Sequence, residues 1–244
     1  MKEKLCHLME TLKLRGMAQA LDQVLLKAEK EGTATREALY ALLLEEQRHR
    51  EETSLKNRLY RAKIPWDWTV HTFPFDLQTA VNKTQIMDLA GLSFVQRADN
   101  IIFIGDPGVG KTGLAISLLR QAILSGYKGK FYNAQDLLDE LYASLADRST
   151  PRLLNTLCSY DVLLIDELGY ISLKPEQANA FFKLMGERYG RKSSIITTNL
   201  DYPDWYDLFR KKSLVDALLD RLNHYCITIR INGRSLRVPK QTSD

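Results

Sequence analysis

The segment GDPGVGKT, residues 105–112, contains the residue types and spacing that point most directly to chemistry. It follows a short apolar run and fits the pattern G-x-x-x-x-G-K-[ST] through Gly105, Gly110, Lys111 and Thr112. Glycines allow backbone N–H groups to approach phosphate oxygens without a Cβ in the way. The lysine adds a positive charge at the β- and γ-phosphates, and the threonine hydroxyl binds Mg²⁺. The segment therefore predicts a site for a nucleoside triphosphate and Mg²⁺.

Two adjacent acids end a second apolar run, VLLI at residues 162–165. Asp166 is the candidate Mg²⁺ ligand, and Glu167 is the candidate base that polarises an attacking water. The pair favours hydrolysis by water, so a metabolite kinase is the weaker interpretation. The residues predicted to bind the nucleotide, with Thr112 and Asp166 also binding the metal, are Gly105, Asp106, Pro107, Gly108, Val109, Gly110, Lys111, Thr112 and Asp166.

Two further polar residues are candidates for catalysis beside Glu167. Asn199 follows the apolar run SIITT and would hydrogen-bond the γ-phosphate or the attacking water, because parallel strands end at one ligand crevice. Arg221 lies near the end of a helical pattern, ALLDRL. It is either an arginine finger that acts on a neighbouring subunit's nucleotide or a surface arginine paired with Asp216 or Asp220. The residues alone leave both interpretations open.

The elements that must position these side chains alternate from about residue 100. The runs IIFIG, GKFYN, DVLLID, SIITTN and CITIRI are separated by helical stretches, which predicts an α/β fold with a parallel sheet covered by helices on both faces. Before them, apolar residues recur at helical spacing, and Gly16 is expected to break the first helix. We expect a helical N-terminal domain at residues 1–70 and an α/β domain at residues 71–244.

Composition limits the classes of protein to consider. The chain has 244 residues, of which 45% are hydrophobic, enough for a sizeable buried core. No apolar run approaches the roughly 20 residues that cross a bilayer. Three scattered cysteines and the absence of a signal-peptide pattern favour a cytoplasmic protein without a membrane partner.

Positive charge is concentrated between residues 47 and 63, although the net charge is only +4. Such a cluster fits either polyanion binding or a solvated helix face, and the residues alone do not decide between them. The candidate DNA contacts are Arg48, Arg50, Lys56, Arg58, Arg61 and Lys63.

Aromatic residues follow this basic cluster. Trp66 and Trp68 would either stack on nucleic-acid bases or dock one domain against the other. We favour the docking interpretation. Phe73 and Phe75 are near enough in sequence to contribute to an adenine pocket, but they also resemble core residues. Arg237, near the C-terminus, receives no role.

The order of these motifs resembles that of the AAA+ ATPases. The longer stretches GDPGVGKTGLAISL, LLIDELGYISL, GERYGRKSSIITTNL and ALLDRLNH are similar to the IstB-type transposition helper ATPases, which are related to the DnaC helicase loaders. The likeness runs over almost the whole chain, and the stretches are specific in combination.

The resemblance implies an ATPase that uses ATP and Mg²⁺ and assembles as an ATP-bound homo-oligomer on double-stranded DNA. That DNA would be passed as target to a cognate transposase, and Arg221 would be the finger that acts between subunits. A helicase loader that prefers single-stranded DNA is the alternative. A binding module that never hydrolyses its nucleotide is a third interpretation, which Glu167 and Asn199 count against.

The chain departs from the family pattern at two places. Gly113 stands where the family commonly has His, which removes a side chain beside the phosphates. Glycine also weakens the helix by up to about 1 kcal/mol relative to Ala. Only 23 residues follow Arg221. They are too few for the helical lid of many AAA+ proteins, so a second, lid-borne arginine is not expected.

Overall fold

The structure is a computed structural model that describes residues 2–169, 173–210 and 212–237. Its contacts divide the chain into two compact units, residues 1–58 and 59–244. Within the described residues, no helix is both long and apolar enough to cross a lipid bilayer.

The first unit is built from helices. They are α1 (Lys2–Thr11), α2 (Arg15–Glu31) and α3 (Thr35–Ala62), the last of which continues into the second unit. A small core of Met9, Met17, Leu21 and Leu42 holds them together. Burying such side chains is the main stabilising contribution available to a helical unit of this size.

Gly16 does not break a helix, so this prediction is wrong. It is the second residue of α2 and is buried against α3. A Cβ at this position would lie 2.6 Å from the carbonyl oxygen of Glu45. Position 16 therefore requires glycine because two helices approach closely there. The local sequence pattern does not reveal that contact.

Glu46 caps the start of α2 from the facing helix. Its Oε2 atom accepts hydrogen bonds from the backbone N–H groups of Gly16 (2.7 Å) and Met17 (3.2 Å), and its Oε1 atom pairs with Arg50 at 2.6 Å. Burial raises the pKa of Glu46, but Arg50 and the two N–H groups outweigh that effect and hold the pKa below its usual value. The carboxylate satisfies donors that every helix start leaves unpaired.

The described residues of the second unit form a five-stranded parallel sheet in the order β2-β3-β4-β1-β5. The strands are β1 (Asn100–Gly105), β2 (Gly129–Asn133), β3 (Val162–Asp166), β4 (Ser193–Thr198) and β5 (Cys226–Ile231). The helices are α4 (Lys83–Ala90), α5 (Ser93–Gln96), α6 (Lys111–Leu124), α7 (Ala134–Ala146), α8 (Thr150–Cys158), α9 (Pro175–Arg188), α10 (Trp205–Phe209) and α11 (Lys212–His224). Short 3₁₀ turns occur at Val70–Thr72 and Tyr202–Asp204. Each predicted strand is present.

Alternate side chains of the strands point to opposite faces of this sheet. Ile102, Leu163 and Ile196 pack with buried residues from α7 to α11 in one apolar cluster. Helix α6 contacts β1 to β4 and contributes no residue to that cluster. The predicted α/β fold, with helices on both faces of a parallel sheet, is confirmed.

The end of α3 belongs with the sheet. Ala62 is fully buried, and the ammonium group of Lys130 on β2 donates a hydrogen bond to the carbonyl of Arg61 (2.9 Å). The division between units therefore falls within α3, whereas the sequence places the domain boundary near residue 70. Residues 59–70 are part of the second unit because these contacts tie them to it.

Candidate nucleotide site

A cavity of about 750 Å³ opens where β1, β3 and β4 end. These strands are neighbours in the sheet, so the loops that follow them meet at one edge. The predicted site residues that line this cavity are Pro107, Gly108, Gly110, Lys111, Thr112, Asp166, Glu167 and Asn199. Gly105, Asp106 and Val109 lie in the same loop without lining the cavity, and Arg221 is not part of its lining.

The segment of residues 105–112, which we call the phosphate loop, turns sharply into α6. Gly108 and Gly110 have φ values of 85° and 99°, a region that residues with a Cβ rarely adopt. A Cβ on Gly110 would also lie 2.7 Å from the Phe73 ring. The loop leads into the start of a 14-residue helix, where unpaired N–H groups and the helix dipole favour an anion. The geometry fits a phosphate group.

Lys111 is held at the mouth of this loop. Its ammonium group donates hydrogen bonds to the carbonyl oxygens of Gly105 (2.7 Å) and Asp106 (2.8 Å). Burial lowers the pKa of Lys111, and the nearby Asp166 opposes that shift. The side chain lines the cavity and can supply a positive charge to a bound phosphate.

Asp166 is deeply buried at the end of β3. Its Oδ1 atom accepts hydrogen bonds from the hydroxyl groups of Thr112 (2.8 Å) and Thr197 (2.6 Å). Burial raises the pKa of Asp166, whereas the two hydroxyl groups lower it in part. A hydroxyl and a carboxylate in contact are oxygen ligands that suit Mg²⁺, so the residues present fit the predicted metal.

Thr197 is a site residue within the run SIITT for which no role was predicted. Besides donating to Asp166, its hydroxyl oxygen accepts a hydrogen bond from the backbone N–H of Glu167 (2.9 Å). One threonine on β4 therefore fixes both acids at the end of β3. Its place near the end of the run SIITT is visible in the sequence, but its contact with the acids depends on the order of the strands in the sheet.

Glu167 has a left-handed backbone conformation, with φ of 63°. The Asn133 amide group donates a hydrogen bond to Glu167 Oε2 (3.1 Å). The Asn133 Oδ1 atom meanwhile accepts from the Gln135 N–H (3.0 Å) and so caps α7. Asn133 was absent from the predicted set, although it orients the side chain predicted to act as the base.

Asn199 follows β4, and its side-chain oxygen accepts no hydrogen bond from the described residues. Its Oδ1 atom is buried and has no hydrogen-bond partner among the described residues. Leaving a buried amide oxygen unpaired is costly, so the site fits a group or a water that donates to it. The role of Asn199 beside the γ-phosphate or the attacking water stays a prediction.

Two segments distant in sequence hold the phosphate loop from outside. The Gln78 amide donates hydrogen bonds to the carbonyl oxygens of Val109 (3.1 Å) and Arg234 (2.9 Å). The Leu236 N–H donates to the carbonyl of Gly108 (2.8 Å). Leu236 and its neighbour Arg237, which received no role from the sequence, also line the cavity.

Three aromatic side chains also line the cavity: Trp66, Trp68 and Phe73. We expected the two tryptophans to dock one domain against the other. Both lie in the second unit beside Lys111 and Thr112, where Trp68 contacts Gly113 of α6. Docking of one unit against the other stays a prediction.

A sequence model of IstB-like ATP binding proteins matches residues 7–244. The chain belongs to the IstB-like ATP-binding family. An ATP-binding protein of insertion sequence IS21 from Pseudomonas aeruginosa is 35% identical over 234 residues, covering 96% of this chain and 88% of that protein. An ATP-binding protein of IS5376 from Geobacillus stearothermophilus is 34% identical and covers 98% and 95%, respectively. The resemblance to IstB-type proteins is confirmed.

Solved structures similar to this IstB-like chain confirm the AAA+ fold. The crystal structure of the DnaC helicase loader has a TM-score of 0.60 and 25% identity, covering 70% of this chain and 100% of that chain. AMPPCP-bound DnaA from Aquifex aeolicus has a TM-score of 0.57 and 20% identity, covering 70% and 51%. The parallel sheet and the phosphate loop before α6 are the features of this chain that match that fold.

Arg221 of the IstB-like chain is exposed on α11. A Cβ on Gly186 of α9 would lie 3.0 Å from its Nη1 atom, so the guanidinium group rests against that helix. Within the described residues it pairs with neither Asp216 nor Asp220, and Asp216 accepts a hydrogen bond from Tyr206 (2.6 Å). No ion pair with either acid is present among the described residues, and the role of Arg221 stays a prediction.

The candidate DNA contacts between residues 48 and 63 differ in how far their charges are already paired. Arg48 lies 2.5 Å from Glu45, and Arg50 is paired with Glu46 as described above. Arg58 donates to the Ser54 hydroxyl (2.8 Å). Lys56 in the first unit and Arg61 and Lys63 in the second are exposed, with no ion pair among the described residues. These last three remain the most available for a phosphate.

Proposed function

We propose that this chain is an ATPase of an insertion sequence that assembles on duplex DNA in its ATP-bound state and presents that DNA to a transposase. The observation that carries the proposal is the convergence of the phosphate loop, both acids and Asn199 on one cavity. A protein that only binds nucleotide needs no base beside the metal ligand. The insertion-sequence relatives support the transposase as the partner.

The residues of the cavity divide the chemistry among them. Gly108, Gly110 and Lys111 would hold the phosphates, while Thr112 and Asp166 would hold Mg²⁺. When bound, Mg²⁺ neutralises charge on the β- and γ-phosphate oxygens. Glu167, oriented by Asn133, would accept a proton from water, and Asn199 would hold that water or the γ-phosphate.

ATP hydrolysis tests the first part of this proposal. Lys111→Ala should abolish ATP binding, because it removes the positive charge at the phosphates. Glu167→Gln should keep ATP binding and lower kcat by about 10²–10⁴-fold, the usual contribution of a general base. Binding is measured by calorimetry and turnover by phosphate release. An unchanged kcat in Glu167→Gln would overturn the role of this residue.

DNA binding is tested by the salt dependence of affinity. Duplex DNA should bind the ATP state. The triple variant Lys56→Ala, Arg61→Ala, Lys63→Ala should reduce the slope of log affinity against log salt concentration by about one for each lost phosphate contact. Arg48→Ala is the matched control, because Glu45 already pairs with its charge. Fluorescence anisotropy with duplex and single-stranded oligonucleotides gives the slopes. Equal slopes in wild type and triple variant would exclude these residues.

A helicase loader is the second candidate, favoured by the similarity to the DnaC structure. The two functions differ in their DNA and their partner. Preference for duplex DNA and stimulation of strand transfer by the transposase of the same element support the first proposal. Tighter binding of single-stranded DNA, with no effect on strand transfer, would replace it by the second.

A further inference from the structure

The segment that carries Trp66 and Trp68 lies along α6. Between the two tryptophans, Asp67 Oδ1 pairs with Arg120 Nη1 at 2.6 Å. Trp68 itself contacts Gly113. Gly113 and Arg120 are seven residues apart, which is two helical turns, so both lie on one face of α6. Two contacts on this face therefore fix the position of the segment beside the phosphate loop.

Trp68 presents the face of its indole ring to Gly113. A Cβ at position 113 would lie 3.4 Å from Cδ2, 3.6 Å from Cε3 and 3.7 Å from Cε2 of Trp68. Cδ2 is a ring-fusion carbon bonded to three ring atoms, so another atom comes closest to it from above the ring and not from the edge. Gly113 therefore leaves room for the indole to lie over the first turn of α6.

The aromatic residues share their cavity with the phosphate-binding residues. Trp66 and Trp68 line it together with Lys111 and Thr112. The Trp66 side chain is 55% exposed, although an indole ring usually finds a partner for its large apolar surface. Flat apolar rings beside a phosphate site are the surface on which a nucleobase stacks.

We propose that Trp68, seated on Gly113 and flanked by Trp66, is the stacking surface for the base of a purine nucleoside triphosphate. The inference rests on the proposed nucleotide site and adds its base-binding part. Because stacking depends on the flat π face and not on hydrogen bonds to base edges, ATP and GTP gain similarly from this contact. Inorganic tripolyphosphate, which has no base, gains nothing from it.

Tryptophan fluorescence and calorimetry on the full chain test this assignment. The chain has three tryptophans, and Trp205 is fully buried in the apolar cluster on the α7–α11 face. ATP should quench the wild-type emission, whereas the double variant Trp66→Phe, Trp68→Phe should show no quenching from the remaining Trp205.

The affinities for ATP and for tripolyphosphate separate the contribution of the base from that of the phosphates. Trp68→Ala should weaken ATP binding about tenfold, within the range of one lost base–aromatic stack, and leave tripolyphosphate binding unchanged. Gly113→His should weaken ATP binding more than Gly113→Ala, because an imidazole displaces the indole. Tyr60→Ala is the matched control, since it removes an exposed aromatic ring of the same unit that does not line the cavity.

The results distinguish failure of the stacking surface from failure of the nucleotide site. Wild-type ATP affinity in Trp68→Ala, together with loss of binding in Lys111→Ala, overturns the stacking surface and leaves the proposed ATPase standing. Equal losses for ATP and tripolyphosphate in Trp68→Ala also overturn it, because the defect is then not in base binding. If wild type binds neither ligand, the proposed nucleotide site fails as well.

Discussion

The side chains at the site act through pairs that link neighbouring strands. Asp166 and Glu167 could be assigned from the local pattern, because an apolar run ending in acids is visible in the sequence. Their partners Thr197 and Asn133 could not, since each is about 30 residues away and only the sheet order brings them together. In the register of β2 with β3, Asn133 lies opposite Asp166. A pairing of this kind depends on topology.

The contact between Asn133 and Glu167 predicts a kinetic effect. Asn133→Ser keeps a residue able to cap α7 but is too short to reach the Glu167 carboxylate. We expect kcat for ATP hydrolysis to fall about tenfold while ATP affinity stays the same, because only the orientation of the base is lost. Single-turnover kinetics and calorimetry separate the two quantities.

Asn133→Gly provides the complementary control, because glycine is also accepted at a helix start and lacks the amide. Both variants should behave alike. A drop in ATP affinity as large as the drop in kcat would show that Asn133 supports the fold of the site and not the base.

Elements were predicted well where the signal is local and less well where two elements meet. The five strands follow from β-branched runs bounded by turns and charged residues. Gly16 was misjudged because a glycine in a helical pattern looks like a break, whereas the approach of α3 makes it necessary. The contact of Trp68 with Gly113 could not be predicted for a similar reason, since it joins segments that are far apart in the sequence.

The cap that Glu46 places on α2 predicts a pH-dependent stability. Because the folded-state pKa of Glu46 lies below the ordinary value of 4.5, its contribution is present above the unfolded pKa and is lost as pH falls through the folded pKa. Glu46→Gln should therefore be less stable than wild type at pH 7, and the difference should shrink in acid.

Urea unfolding of the full chain, followed by circular dichroism at pH 7 and near pH 3.5, measures this effect. Glu45→Gln is the neighbouring control, because its pair with Arg48 is at the surface, where solvent and salt weaken such pairs. Equal midpoints for wild type and Glu46→Gln at pH 7 would contradict the capping role.

At the scale of the whole molecule, Arg221 is outside the cavity of its own chain. An arginine that stabilises the transition state must reach the nucleotide, so a catalytic Arg221 requires a second subunit. This is the point at which the sequence could offer two interpretations without deciding, because a site shared between subunits leaves no trace in the pattern of one chain.

Mixing two inactive variants tests a shared site. Arg221→Ala should lower ATP turnover by at least about 10³-fold, and Lys111→Ala should also be inactive. A mixture should regain part of the activity, because a Lys111→Ala subunit supplies its arginine to the intact phosphate loop of an Arg221→Ala neighbour. Lys212→Ala, which removes another exposed charge from α11, should retain normal turnover. No recovery in the mixture would argue against action between subunits.

Whether ATP drives assembly on duplex DNA can be measured from the particle mass of Glu167→Gln. This variant should hold ATP without hydrolysing it, so its mass is measured with and without ATP, and with duplex or single-stranded DNA. We expect large assemblies only with ATP, favoured by duplex DNA and weakened by salt. A monomer under every condition would contradict it.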